Sequence, residues 1–133
     1  MRYVLLTYNA PGGREIWAAM TESEQRAEED EYVRLVEAMK ESNAYISANE
    51  LEPFTTARTV QVRNGTRSVR EGPAVEGEEF LTGYFLVEVE SVEAAIEWAA
   101  KIPNARNGSV EVRRVDEGEL ADRMAAAAAD VPQ

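Results

Sequence analysis

Acid–base chemistry in this chain has few residues to draw on, because its 133 residues include no histidine and no cysteine. A thiol nucleophile, an imidazole base and a thiolate zinc site are therefore excluded. The remaining proton carriers are glutamate, aspartate, tyrosine and two lysines, Lys40 and Lys101. Of these, Tyr8, Glu50, Tyr84 and Glu88 fall in segments of strand character, where one face of a sheet can line a cavity. A carboxyl held among apolar walls has its pKa raised toward neutrality, as a general base requires. Glu50 is the choice of base on this reading, with Tyr84 or Tyr8 as proton donor. The alternative is that the tyrosines are core and the carboxylates are solvated or paired.

Anion binding has its own candidates. Arg58, Arg63, Arg67 and Arg70 cluster in one stretch of an otherwise acidic chain. Guanidinium groups clamp carboxylates and phosphates well, so Arg58, Arg63 and Arg70 are candidate ligand-binding residues. They could equally pair with carboxylates of the same or another chain. Gly12-Gly13 follows a strand-like segment, as a phosphate nest would, but an ordinary turn explains it as well. The run Glu28–Glu31 is spread around a helix axis rather than focused on a cation. The sequence contains no GxGxxG, P-loop, EF-hand, GxSxG or HExxH pattern. No cofactor and no metal is implied.

Composition sets the wider bounds. The length suits one domain, with residues 1–116 as an α+β unit and 117–133 as an Ala-rich, partly helical tail. The net charge of −11 argues against nucleic acid or an anionic membrane as a direct partner. The apolar tract Ala125–Ala129 is far short of the ~20 residues of a membrane helix. The first residues lack a signal-peptide pattern and read as the first strand of a cytoplasmic protein.

The elements that must position these residues follow from periodicity and punctuation. Arg2–Tyr8 is apolar on both faces, with Val4, Leu6 and Tyr8 on one and Tyr3 and Leu5 on the other. One or two helical turns are expected over Glu15–Met20. Thr21-Glu-Ser-Glu24 is a capping box, and it predicts a helix to about Ser42 with Ala27, Tyr32, Leu35, Val36 and Met39 inward. A second strand is expected over Asn43–Leu51, then a turn at Pro53. Ala57–Arg63 and Thr66–Arg70 flank Asn64-Gly65, a strong hairpin signal, and predict a projecting arm. Phe80–Glu90 reads as a strand. Ser91 caps a helix over Val92–Ile102 with Val92, Ala95, Ile96 and Ala99 inward, and Pro103 stops it. Asn107-Gly108 turns into a last strand, Ser109–Val115. In the tail, Met124–Ala129 is helical.

Without the arm, this order is βαββαβ, a ferredoxin-like arrangement with both helices on one face of an antiparallel sheet. Strand Phe80–Glu90 is apolar on both sides, with Phe85, Val87 and Val89 on one and Tyr84 and Leu86 on the other. Two helices cover one face only. The other face is expected to meet its equivalent in a homodimer, around a shared cavity able to take a small molecule.

The span Tyr3–Val115 resembles the YCII-related family with a DGPF-type motif. Ala57-Arg-Thr-Val60 is similar to that family's A-T-T-V strand, and Glu71-Gly-Pro-Ala74 stands where the family has Asp-Gly-Pro-Phe. Glu76, Glu79, Gly83 and Tyr84 fit its E-x-K-E-x-x-G-G-Y pattern. Ile96-Glu-Trp-Ala-Ala100, Pro103 and Gly108-Ser-Val-Glu-Val-Arg113 fit its helix and last strand. The motif's Asp, Phe, Lys and first paired Gly are here Glu71, Ala74, Glu78 and Thr82, and Gln61 fills a position often held by Arg. Tyr32 falls near a candidate catalytic histidine of the wider superfamily, so a histidine-dependent activity is not available to this chain. The resemblance implies a dimeric α+β barrel. It also implies either a cofactor-free lyase or isomerase working in the cavity, or a regulatory module linked to sigma-factor-dependent transcription.

With only oxygen ligands on offer and none at a recognisable spacing, elemental analysis of the purified protein is expected to find no stoichiometric zinc, iron or copper.

Overall fold

A computed structural model describes residues 1–129. In chain order the elements are β1 (Arg2–Asn9), α1 (Gly13–Ala19), α2 (Glu22–Glu41), β2 (Tyr45–Glu50), a 3₁₀ turn (Phe54–Thr56), β3 (Arg58–Arg63) and β4 (Thr66–Glu71). They continue with β5 (Phe80–Glu88), α3 (Val92–Ala100), α4 (Asn104–Asn107), β6 (Gly108–Arg114) and α5 (Glu119–Ala129). The expected α+β class holds. Four strands form one antiparallel sheet in the order β2-β5-β1-β6, which is the ferredoxin-like βαββαβ arrangement.

Local chemistry accounts for several boundaries. The capping box at Thr21 is complete: Glu24 N donates to Thr21 Oγ1 at 3.1 Å and Thr21 N donates to Glu24 Oε1 at 2.9 Å. The backbone bond to Thr21 holds the Glu24 carboxyl below its usual range. Just past the end of α2, Asn43 has a left-handed φ of 59°, and Ala44 N donates to Met39 O at 2.8 Å. Asn43 therefore closes the helix instead of opening β2. Ser91 Oγ caps α3 by accepting from Ala94 N at 3.1 Å.

The hairpin is present as a separate two-stranded sheet, β3–β4. Its turn has φ of 51° at Asn64 and 76° at Gly65, the type I′ geometry that Asn-Gly favours. At its root Gly72 N donates to Ala57 O at 2.9 Å, and Phe54 stacks on Phe80 with ring centroids 3.7 Å apart.

The core lies between one sheet face and helices α2 and α3. Tyr3 and Leu5 of β1 and Phe85 and Val87 of β5 meet Leu35 and Met39 of α2, Ala95 and Ala99 of α3, and Ile102. Two expectations for the α3 region are corrected. Val92 and Ile96 are exposed, and Ala95, Trp98, Ala99 and Ile102 make the inward contact. Small alanines let the helix backbone approach the sheet, and the larger side chains flank that line. Pro103 opens a further helical turn, α4, rather than only closing α3, because its fixed φ of −51° suits a helix start. Helix α5 has no buried residue.

Two glycines mark tight backbone approaches. A Cβ at Gly108 would lie 2.1 Å from Tyr8 O, and one at Gly83 would lie 2.6 Å from Asn49 O. Both obstacles are backbone atoms of neighbouring strands and cannot rotate away. Gly108→Ala and Gly83→Val are expected to destabilise by about 1–3 kcal/mol each, as overpacking does. Thermal denaturation should show a drop of several degrees; an unchanged midpoint would contradict the geometry.

Candidate functional site

One rung of the sheet organises the candidate residues. Glu50 of β2 lies opposite Gly83 of β5, Gly83 opposite Thr7 of β1, and Thr7 opposite Val110 of β6. Thr7 follows Tyr3 and Leu5 in strand alternation and is buried with them on the helix-covered side. Glu50 shares that side through its pairing with Gly83. Tyr8 and Tyr84 each follow by one residue and face the other way, with Val4, Leu6 and Leu86. Tyr84 lies opposite Leu6, whose next same-face neighbour along β1 is Tyr8. The structure therefore brings Tyr8 and Tyr84 together at one end of the helix-free face. It sets Glu50 at the same end of the sheet but on the opposite face. Tyr84 Oη accepts from Asn49 Nδ2 at 2.9 Å.

A bulge between Thr7 and Tyr8 refines this end. The extra residue on β5, Thr82, turns toward the helices. Its Oγ1 lies 3.0 Å from Thr7 Oγ1 and donates to Thr7 O at 3.2 Å. It also accepts from Asn104 Nδ2 at 3.4 Å.

Asn104 belongs to a polar network that sequence reasoning did not assemble. Tyr32 Oη of α2 donates to Asn104 Oδ1 at 2.6 Å, and Asn104 Nδ2 donates to Asn9 Oδ1 at 3.0 Å. Asn104 and Thr7 are the buried polar residues among those described. Burial first, then the nearby carboxylates of Glu28, Glu50 and Glu31, pushes the Tyr32 phenol up to about 12; Arg106 opposes this. Arg106 Nη2 itself donates to Glu31 Oε2 at 2.9 Å. Tyr32 is thus a neutral hydrogen-bond donor over the physiological range and no base. Among the described residues no buried side-chain nitrogen or oxygen lacks a partner. The network's evident work is to lock α2 and α4 onto the end of β1 and β5.

The arm arginines do not converge on the sheet. Arg58 lies 3.9 Å from Glu71 and Arg70 lies 3.7 Å from Glu76, both on the surface, where such pairs contribute little. Arg63 Nη1 donates to Val62 O at 3.2 Å near the tip. By register Arg63 and Arg70 share one face of the arm and Arg58 lies on the other. At the far edge of the main sheet a shallow open groove is lined by Tyr8, Glu78, Glu79, Ser109 and Glu111. Ser109 Oγ there donates to Glu79 Oε1 at 2.8 Å. Among the described residues no group of three or more carboxylates is placed to hold a metal ion.

Tyr32→Phe leaves Asn104 Oδ1 short of its donor in a buried position and is expected to cost about 1–3 kcal/mol. Titration gives a second readout. The folded state holds the Tyr32 proton more tightly than the unfolded chain does, so this contribution to stability is complete below about pH 10 and is lost as pH rises through about 12. A phenolate-absorbance titration should show a late-titrating component that is absent from the Phe variant.

Comparison with known proteins agrees with this architecture. The model of the YCII-related domain matches residues 1–118. An uncharacterized protein of Rhizobium meliloti (strain 1021) is 29% identical over 121 residues, covering 85% of this chain and 90% of the relative. No helix among the described residues is long and apolar enough to cross a membrane. With a ferredoxin-like sheet and a family match that takes in all six strands, the chain belongs to the YCII-related family.

Proposed function

We propose that this YCII-related protein is a cytoplasmic homodimer that packs its helix-free sheet faces together and holds a small organic molecule in the cavity between them. One observation carries the reading. Val4, Leu6 and Leu86 form an apolar strip on the sheet face opposite the core, with Tyr8 and Tyr84 at one end of it. No helix of the core cluster lies on that side. An apolar floor with two phenolic hydroxyls at its rim is a usual composition for a small-molecule site. Phenols can donate to a carboxylate or accept from a hydroxyl, so small carboxylates and phenols are the ligand classes that fit.

Binding without turnover is favoured by the register. Glu50 lies on the Thr7 side of the sheet, toward Tyr32, and is exposed at the end of an edge strand. Lyase or isomerase chemistry with Glu50 as base would need that carboxylate to reach around the sheet edge to Tyr84 or Tyr8. The Ala-rich tail from residue 117 onward is taken as an appendage to the domain.

Light scattering at micromolar concentration is expected to give twice the 14.8 kDa chain mass. Leu86→Glu should halve it, because the substitution places an unpaired charge in a dry interface. A monomer mass for the native chain would falsify the proposal. In a thermal-shift screen, a small carboxylate or phenol should raise the melting temperature, and Tyr8→Phe combined with Tyr84→Phe should abolish that rise without dissociating the dimer.

A further inference from the structure

We propose that the valine-bearing face of the β3–β4 arm is an intersubunit contact, laid by each copy of this chain against the acidic groove at the far sheet edge of the other. The inference rests on the homodimer reading above and adds a second element to it.

Strand alternation divides the arm into two unlike faces. Arg58, Val60 and Val62 alternate along β3 and lie opposite Glu71, Val69 and Arg67 of β4. This face gathers all three valines of the two strands, with Val60 directly across from Val69. The opposite face is Thr59, Gln61 and Arg63 against Arg70, Ser68 and Thr66, and is polar throughout. Yet the valines are bare: Val60 and Val62 are each 58% exposed and Val69 is 56% exposed. An apolar face on a free two-stranded ribbon is poorly supported, since such a hairpin is marginal in water by itself. The alternation is one that a half-buried ribbon would have.

Charge selects the occupant. Between Arg58 and Glu71 the arm holds four arginines and one glutamate, in a chain whose net charge is −11. A second copy presents a complementary surface, and the groove at β6 offers Glu78 and Glu79 beside Tyr8, with Glu111 there paired to Arg113. Arg58 and Arg67 flank the valines on the same face, so carboxylates at the rim would meet guanidinium groups while the valines are covered.

Position supports the same match. The arm leaves the sheet after Glu50, at the end of β2, and the groove lies at Tyr8 and Ser109; both are at the Glu50–Gly83–Thr7–Val110 rung. They sit on opposite edges, because the order is β2-β5-β1-β6. When two sheets face each other about a two-fold axis running along the strands, the axis exchanges left and right edges and keeps the ends together. Each arm then emerges beside the other copy's groove. Six residues per strand give the arm a reach of ~20 Å, enough to cross a sheet-to-sheet gap of ~10 Å.

The chain has no cysteine, so Val62→Cys gives one attachment point for a thiol-directed photocrosslinker. Copies carrying it are mixed with isotope-labelled copies and irradiated, and linked peptides are identified by mass spectrometry. The expected products join residue 62 of one copy to residues 77–79 or 108–111 of the other. Arg58→Glu with Arg67→Glu should suppress those products and weaken the dimer about tenfold or more in sedimentation. A dimeric mass with only intrachain links, links elsewhere or none overturns the arm contact while leaving the sheet-face dimer standing. A monomeric mass overturns both.

Discussion

A four-stranded sheet has two faces, and this chain packs helices α2 and α3 on one of them. That imbalance shapes everything else in the molecule. Tyr3, Leu5, Phe85 and Val87 point to the helices and form the core with Leu35 and Met39. Their strand neighbours Val4, Leu6, Tyr84 and Leu86 point away, with apolar side chains that a soluble surface does not require. All four are half-buried, and among the described residues no helix of the core cluster covers them.

At the end of the sheet where α2 and α4 meet β1 and β5, polar contacts join the hydrophobic packing. Tyr32, Asn104, Asn9, Thr7 and Thr82 satisfy one another there, with Asn104 as the hub. Every buried polar side-chain atom of this network has a partner among the described residues, so its evident role is to fix geometry. Its phenol stays protonated because burial and surrounding carboxylates both oppose the phenolate. The half-buried phenols of Tyr8 and Tyr84 lie instead across the sheet, with Tyr84 Oη bonded to Asn49.

Features set by neighbours in the chain were legible in the sequence. The capping box at Thr21, the cap at Ser91, the Asn64-Gly65 turn and the period-two strands depend on residues a few positions apart. Features set by docking were not. Whether Ile96 or Trp98 faces inward depends on how closely Ala95 and Ala99 let α3 approach the sheet. The meeting of Tyr32 with Asn104 spans 72 positions, and no local pattern announces it. Glu50 shows the limit most clearly. Strand character was visible around it, but its face depends on pairing with Gly83, and a shift of one residue would have put it with Tyr84. The bulge that turns Thr82 toward the helices is likewise a property of two strands together.

The root of the arm has a consequence for how this fold can vary. Ala57 and Gly72 are joined by a backbone hydrogen bond, so the segment between them leaves and returns at one point. An insertion whose two ends already touch imposes no stretch on its host, and lengthening it adds only a slowly growing closure entropy. The six-stranded chain is therefore two modules with separate tolerances: a sheet-and-helix scaffold with no room for a Cβ at Gly83 and Gly108, and an appendage free to change length, charge and partner while the scaffold stays fixed.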